Sequence, residues 1–233
     1  MSVSEYIKQY EIATEPELEK FDEFATLLVE TNKKFNLTAL TDDKDSALLH
    51  FYDSLSVRSA LPTLEGLRLI DIGCGAGFPS MPLAITMPNC SFTMLDSTAK
   101  KLTFISESAD SLGLSNVATL VGRAEEYSTK KEYRETFDVG LARGVARLNI
   151  LAELVIPFVK VGGVFVAMKG RGALEELEEA RKGIEILGGE IDKVIPVPIP
   201  ETDRVHNLVV VRKITHTPTQ YPRQFGRISK KPL

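Results

Sequence analysis

Apolar and polar positions follow two different rhythms along this chain. Leu18, Phe21, Phe24 or Ala25, and Leu28 recur at three- and four-residue intervals, the period of one face of a helix. Thr14 stands three residues before Glu17, a capping-box spacing, with Pro16 in the first turn, so an amphipathic helix is predicted to begin there. A second helix is predicted from Asp43 to Ala60, with a rougher stripe of Leu48, Phe51, Leu55 and Val57 and with Pro62 just past its end. Between the two, the mixed stretch Asn36-Leu37-Thr38-Ala39-Leu40-Thr41 reads as a loop facing a substrate.

After Pro62 the rhythm changes to short β-like runs separated by helical stretches. Candidate strands are Arg68 to Ile72, Ser91 to Leu95, Val117 to Val121, Phe137 to Ala142 and Val164 to Met168, with intervals long enough for crossover helices. The helix after Leu95 presents Leu102, Ile105, Ala109 and Leu112 and stops at Gly113. Ile191 to Val197 and Leu208 to Arg212 read as a terminal antiparallel hairpin joined by Pro200 to Asn207. The expected fold is α/β: a Rossmann-like, mostly parallel sheet with a terminal antiparallel hairpin and an N-terminal helical extension. The expected division is a helical extension over 1–62, a catalytic domain over 63–214 and a basic C-terminal arm over 215–233.

Composition narrows the class. A chain of 233 residues, 43% hydrophobic, buries one substantial core. It has no apolar run of the roughly 18 residues that cross a bilayer, and its start has no secretory pattern, so a cytoplasmic protein without a membrane role is expected. Cys74 and Cys90 are the only cysteines, too few for a disulfide framework or a zinc site; no metal is expected, and Cys74 reads as a small loop residue rather than a nucleophile. The net charge of -4 hides an asymmetry. From Arg204 onward there are seven basic residues and no acidic one, leaving 21 basic against 32 acidic side chains before it. Such a basic arm suits phosphate, or else solvates a tail.

Candidate chemistry gathers where the predicted strands end, because ligands of open parallel sheets sit outside the carboxyl ends of the strands. The first strand runs into Asp71-Ile72-Gly73-Cys74-Gly75-Ala76-Gly77, whose glycines permit a tight turn and close approach of a ligand. A dinucleotide loop needs glycine where Phe78 stands, so that pyrophosphate can meet a helix N-terminus. Phe78-Pro79, and the acid Asp71, favour a ligand without pyrophosphate. Asp96, ending the second strand, can accept both hydroxyls of a ribose. Ala124 and Glu125 can pin an adenine edge, although a helix N-terminal acid such as Glu125 can equally serve the macrodipole. Arg143 and Lys169 end two further strands and face either ligand or solvent. These features indicate S-adenosylmethionine as cofactor.

Together the segments resemble the bacterial small-subunit ribosomal RNA methyltransferase G family, also called glucose-inhibited division protein B. The likeness spans almost the whole chain: Asn36-Leu37-Thr38, His50 with Asp53-Ser54-Leu55, DIGCGAGFP from Asp71, LDSTAKKLTF from Leu95, GRAEE from Gly122, ARGVARL from Ala142, GGVFVAMKG from Gly162, and the tail YPRQFGRISKKPL. The glycine loop marks only the methyltransferase superfamily; the helical prefix and the tail are more specific. The resemblance implies a class I methyltransferase fold and methyl transfer to N7 of a guanine in 16S ribosomal RNA. It implies cofactor contacts at Gly73, Phe78, Ala124, Glu125 and Arg143, with Asp96 at the ribose. It places Asn36, His50, Asp53, Lys169, Arg204 and Arg223 on the RNA side. Gly144 departs from the alanine more usual after the arginine, which puts only local backbone rigidity in doubt.

Guanine N7 carries no proton, so no general base is required, and the sequence presents no dyad. Asp53, near a guanine's Watson-Crick edge, and Arg143 are the catalytic candidates, while His206 and His216 read as incidental. A monomer acting on 16S RNA or the small subunit is expected. A small-molecule methyltransferase would not need the basic tail, and a non-catalytic RNA-binding or assembly factor with a relic cofactor site would keep the charge asymmetry.

Overall fold

The computed structural model describes residues 1–35, 37–38 and 42–233; Asn36, expected to face substrate, lies outside the described residues. Strands β1 (Arg68–Ile72), β2 (Ser91–Asp96), β3 (Val117–Val121), β4 (Phe137–Arg143), β5 (Val159–Lys169), β6 (Gly189–Pro198) and β7 (Val205–Lys213) form one sheet. Its order is β3-β2-β1-β4-β5-β7-β6. Strands β1 to β5 pair in parallel, and β7 runs antiparallel between β5 and β6. This is the expected mostly parallel sheet with its terminal hairpin, except that β5 begins five residues earlier than its apolar run, at Val159. The order reverses between β1 and β4, which opens a crevice at their carboxyl ends.

Alternate residues of each strand serve opposite faces, as a period of two requires. Leu69, Phe92, Met94, Leu141, Val166, Leu208 and Val210 enter one apolar cluster, and Ile70, Ile72, Leu95, Ala142, Phe165, Val209 and Val211 enter the other. Helices α1 (Val3–Lys8) and α2 (Glu15–Asn32) join the first cluster through Val3, Ile7, Leu18, Phe21, Phe24 and Leu28. Thr14 and Glu17 form the capping box that starts α2. The N-terminal helices therefore share the sheet's own core.

The second predicted helix is present but changes pitch. It consists of α3 (Asp43–Ser46), a π-helical segment over Ala47–Tyr52, α4 (Asp53–Ser56) and a 3-10 turn over Val57–Ala60. A π segment adds a residue to the turn, which is why the stripe Leu48, Phe51, Leu55, Val57 is irregular although all four are buried. The same change of phase leaves His50 at the surface of a cavity.

Five helices flank the strands: α5 (Ser80–Thr86), α6 (Ala99–Ser111), α7 (Ala124–Tyr127), α8 (Leu148–Val155) and α9 (Ala173–Ile186). Pro79 is the cap residue preceding α5. A last helix, α10 (Phe225–Lys230), was not foreseen; it docks Ile228, without exposed surface, into the second cluster. No helix among the described residues is long and apolar enough to cross a membrane, and no group of three metal-ligating side chains occurs among them.

Candidate functional site

The glycine loop leaves β1 in a left-handed turn, with Gly73 at φ +70°. A Cβ on Gly73 would lie 2.6 Å from Val145 Cγ2, so the residue must be glycine both for its backbone and for the close approach of the chain after β4. Across the crevice, Asp96 holds the loop in place: its Oδ2 accepts the Gly75 amide at 3.1 Å and its Oδ1 accepts the Thr98 amide at 2.8 Å. Each carboxylate oxygen retains an acceptor site, enough for two hydroxyls.

A cavity of about 330 Å³ opens beside this turn, lined by Ile72, Gly73, Leu95, Asp96, Lys101, Arg123, Ala124, Glu125, Gly144, Val145, Leu154 and Phe225, among others. Its size is that of a small-molecule site. Two carboxylates for hydroxyl and amino groups, side-chain-free backbone at Gly73 and Gly122, and an apolar wall of Ile72, Leu95 and Leu154 suit an adenosine. Of the expected cofactor residues, Gly73, Asp96, Ala124 and Glu125 line the cavity. Phe225, Lys101 and Arg123 also line it and went unmarked in the sequence reading.

Asp71, Gly75, Gly77, Phe78 and Arg143 do not line it, each for a local reason. Asp71 is 1% exposed beneath the loop. Its Oδ2 accepts from Ser80 Oγ at 2.7 Å while Oδ1 has no partner, and burial pushes its carboxyl up to about 7. The expectation that Asp71 repels pyrophosphate is thus corrected: the group is buried and only partly ionised near neutrality. The Gly75 amide is turned to Asp96, and Gly77 packs on Met81. The Phe78 ring stacks on His50 with centroids 4.4 Å apart and is flanked by Phe24 and Phe51, each at 5.5 Å. It fastens the N-terminal helices to the loop instead of facing a ligand.

A second cavity, of about 430 Å³, meets the first at Gly144 and is lined by Leu49, His50, Asp53, Arg143, Met168, Lys169, Gly170, Arg204 and His206. Gly144 adopts φ +67° with open space where a Cβ would stand, so its departure from alanine reflects a left-handed backbone as much as rigidity. The Arg143 guanidinium lies over Phe78 and is held by three partners. Nη1 donates to the Leu49 carbonyl at 3.1 Å and to Asp53 Oδ2 at 3.4 Å, and Nη2 lies 3.2 Å from His50 Nδ1. A guanidinium only donates, so His50 Nδ1 accepts, and Nε2 carries the proton given to Thr38 Oγ1 at 2.9 Å. Burial, reinforced by the Arg143 charge, pushes the His50 imidazole down to about 3.

Asp53 is 2% exposed, with its carboxylate shared between Arg143 and His206, whose Nδ1 lies 3.0 Å from Asp53 Oδ1. The structure therefore corrects two readings. A carboxylate-imidazole pair does exist, and Asp53 is too enclosed to meet a base edge itself. His216 is not incidental either, since its Nδ1 lies 2.7 Å from Glu135. A usable signal for His206 was present in the sequence: an antiparallel last strand brings its first residues, not its last, to the ligand rim.

The basic residues fare differently from one another. Lys169 donates to the Ala146 carbonyl at 2.6 Å and pairs with Glu176 at 2.8 Å, so it borders the second cavity with its charge already met. Arg223, expected on the RNA side, turns inward to Glu153, a carboxylate without exposed surface. Arg212 pairs with Asp192, and Lys213 is 2% exposed, bonded to the carbonyls of Ile156 and Leu187 and paired with Glu135. Burial pushes the Lys213 ammonium down to about 8. Three of the seven basic residues from Arg204 onward are thus met by acids of the body. Arg204, exposed at the rim of the second cavity, has no ion pair among the described residues.

Comparison with known proteins fits these two joined cavities. The family described as "rRNA small subunit methyltransferase G" matches residues 17–202. The Ribosomal RNA small subunit methyltransferase G of Leuconostoc citreum is 45% identical over 222 residues, covering 94% of this chain and 92% of that protein. Its namesake from Thermoanaerobacter pseudethanolicus is 44% identical over 216 residues, covering 93% and 90%. In fold, the chain is similar to precorrin-6y C5,15-methyltransferase from Geobacter metallireducens, at 19% identity and a TM-score of 0.54 over 78% of this chain and 95% of that one. S-adenosylmethionine is accordingly the cofactor. A glycine turn braced by Asp96, a second cavity joined to the first through Gly144, and likeness over more than nine-tenths of the chain have one explanation: the protein belongs to the rRNA small subunit methyltransferase G family.

Proposed function

We propose that the protein transfers the methyl group of S-adenosylmethionine to N7 of a guanine in 16S ribosomal RNA, presented naked or within the small subunit. The observation that carries this reading is the meeting of the two cavities at Gly144. One fits an adenosine and the other has room for a single extruded base beside a cationic rim, as enzymes acting on a base require. The names of the relatives supply the class of RNA.

The cofactor supplies an electrophilic methyl on a positively charged sulfur. The chain's residues orient and enclose. Asp96 fixes both the glycine turn and the ribose end of the first cavity. Arg143 is held by Leu49, Asp53 and His50, which fixes the guanidinium in the wall of the second cavity; the in-plane lone pair of N7 must stay free of any donor to attack the methyl. No proton leaves N7, so alignment and exclusion of water are the main requirements. Arg204, at the rim of the second cavity and without an ion pair among the described residues, is placed to meet a backbone phosphate of the extruded nucleotide.

The test incubates the purified protein and labelled S-adenosylmethionine with naked 16S RNA or with 30S subunits from cells lacking the gene. Label should enter the RNA, and reduction followed by aniline should cleave the strand at one N7-methylguanine. RNA binding without transfer would favour a non-catalytic assembly role, and label on any other atom would overturn the N7 assignment.

A further inference from the structure

We propose that His206, backed by the buried Asp53 carboxylate, is the residue that selects guanine over adenine in the second cavity, by accepting a hydrogen bond from the base's Watson-Crick edge. This rests on the functional reading above and names the group that enforces its specificity. Asp53 carries no proton to give as a carboxylate, so the 3.0 Å contact fixes the ring with Nδ1–H toward Asp53 Oδ1. In the neutral ring, Nε2 is then a bare acceptor. Asp53 cannot swing to another partner, because it is 2% exposed and its other oxygen meets Arg143. His206 itself is only partly covered and lines the cavity.

The sheet gives the spacing. Arg143 pairs with Met168, and Lys169 pairs with Asn207, which places His206 at the rim two strands from the Gly144 junction. Two inter-strand steps amount to about 10 Å, comparable with a purine measured from N7 to its opposite edge with a contact at each end. A base whose N7 faces the cofactor at Gly144 therefore turns its Watson-Crick edge toward His206. Guanine offers N1–H and an amino group there. Adenine has the same nucleophilic N7 but presents the lone pair of N1, which would oppose that of Nε2. Sites that hydrogen-bond a substrate N–H reject analogues lacking it far more strongly than apolar pockets reject a methylene. As N7 takes the methyl and the ring becomes cationic, N1–H becomes a better donor, so the same contact strengthens along the reaction.

The experiment assembles 30S particles on 16S transcripts carrying either guanine or adenine at the position that the wild-type protein methylates. Transfer is measured for wild type, His206→Gln and His206→Phe, with melting temperature and cofactor affinity as controls for folding. Glutamine presents an amide that either donates or accepts, so the adenine-to-guanine ratio of kcat/KM should rise at least tenfold. Phenylalanine removes the acceptor, so the guanine rate should fall at least tenfold more than the adenine rate. A ratio within twofold of wild type in both variants overturns the inference, whatever the absolute rates. Failure of the wild-type protein to form N7-methylguanine would remove the functional reading itself, a separate outcome read from the first lane.

Discussion

Arg223 closes a two-point ion pair on Glu153, with Nη2 2.6 Å from Oε2 and Nε 2.9 Å from Oε1, and the Arg223 amide also donates to Oε1 at 2.8 Å. The acid lies on α8 and has no exposed surface. Arg223→Ala would leave that carboxylate buried with no charged partner and only the residue-223 amide, and removing one member of a buried pair costs about 3–5 kcal/mol. Chemical denaturation should record a loss of that order, and a loss below about 1 kcal/mol would mean that the pair contributes little. Truncation after Thr217 removes the same partner, so weaker RNA binding by such a protein would not isolate a phosphate contact.

The residue two places on, Phe225, is 37% exposed and lines the cofactor cavity, with the Arg123 guanidinium 5.5 Å from its ring centre. Phe225→Ala should leave the melting temperature nearly unchanged and weaken S-adenosylmethionine binding by about 1 kcal/mol, the scale of an aromatic contact. Calorimetric titration decides it; an unaltered affinity would make Phe225 a bystander.

Asp96 has two duties, bracing the glycine turn through Gly75 and facing the cavity. Asp96→Ala should reduce cofactor affinity by about two orders of magnitude, since a charged acceptor contributes roughly 1.5–3 kcal/mol. Asp96→Asn, which keeps one acceptor oxygen, should lose less. Equal affinity in all three proteins, measured by titration, would place the ribose elsewhere.

Stability should depend on pH through two buried groups with opposite signs. Asp71 is raised to about 7 in the folded protein, so its stabilising contribution is full below the ordinary carboxylate range and is lost as pH rises through about 7. His50 is lowered to about 3, so its contribution is present above the ordinary imidazole value and is lost as pH falls toward 3. Between pH 4 and 6.5 the two oppose each other. Asp71→Asn should therefore be the more stable protein at pH 8, by up to about 3–4 kcal/mol, with the advantage gone at pH 4. A difference independent of pH, in melts across that range, would contradict the assignment.

What the sequence disclosed depended on how far apart the cooperating residues lie. Strand runs, the capping box at Thr14 and the helix ending at Gly113 are written in neighbouring residues, and the sheet could be read from them. The charge of the last segment was legible but its meaning was not, because Asp192, Glu153 and Glu135 precede Arg212, Arg223 and Lys213 by 20, 70 and 78 residues. Asp53 and His206 stand 153 positions apart and meet only because β7 is antiparallel. Phe78 was read for what it excludes from a ligand site, whereas its ring was needed to join two halves of the core.

The π-helical segment over Ala47–Tyr52 has a bearing on which lineages of this chain are viable. Its surplus residue is taken up by a widened turn that carries His50 at the cavity wall. Loss of any one residue there would restore an ordinary helix, closing the wide turn while leaving the helix beyond it nearly in phase. Substitutions in this segment are matters of degree; a one-codon deletion would withdraw the widened turn that carries His50 altogether. Length between 47 and 52 should therefore be held more strictly than the identity of most residues within it.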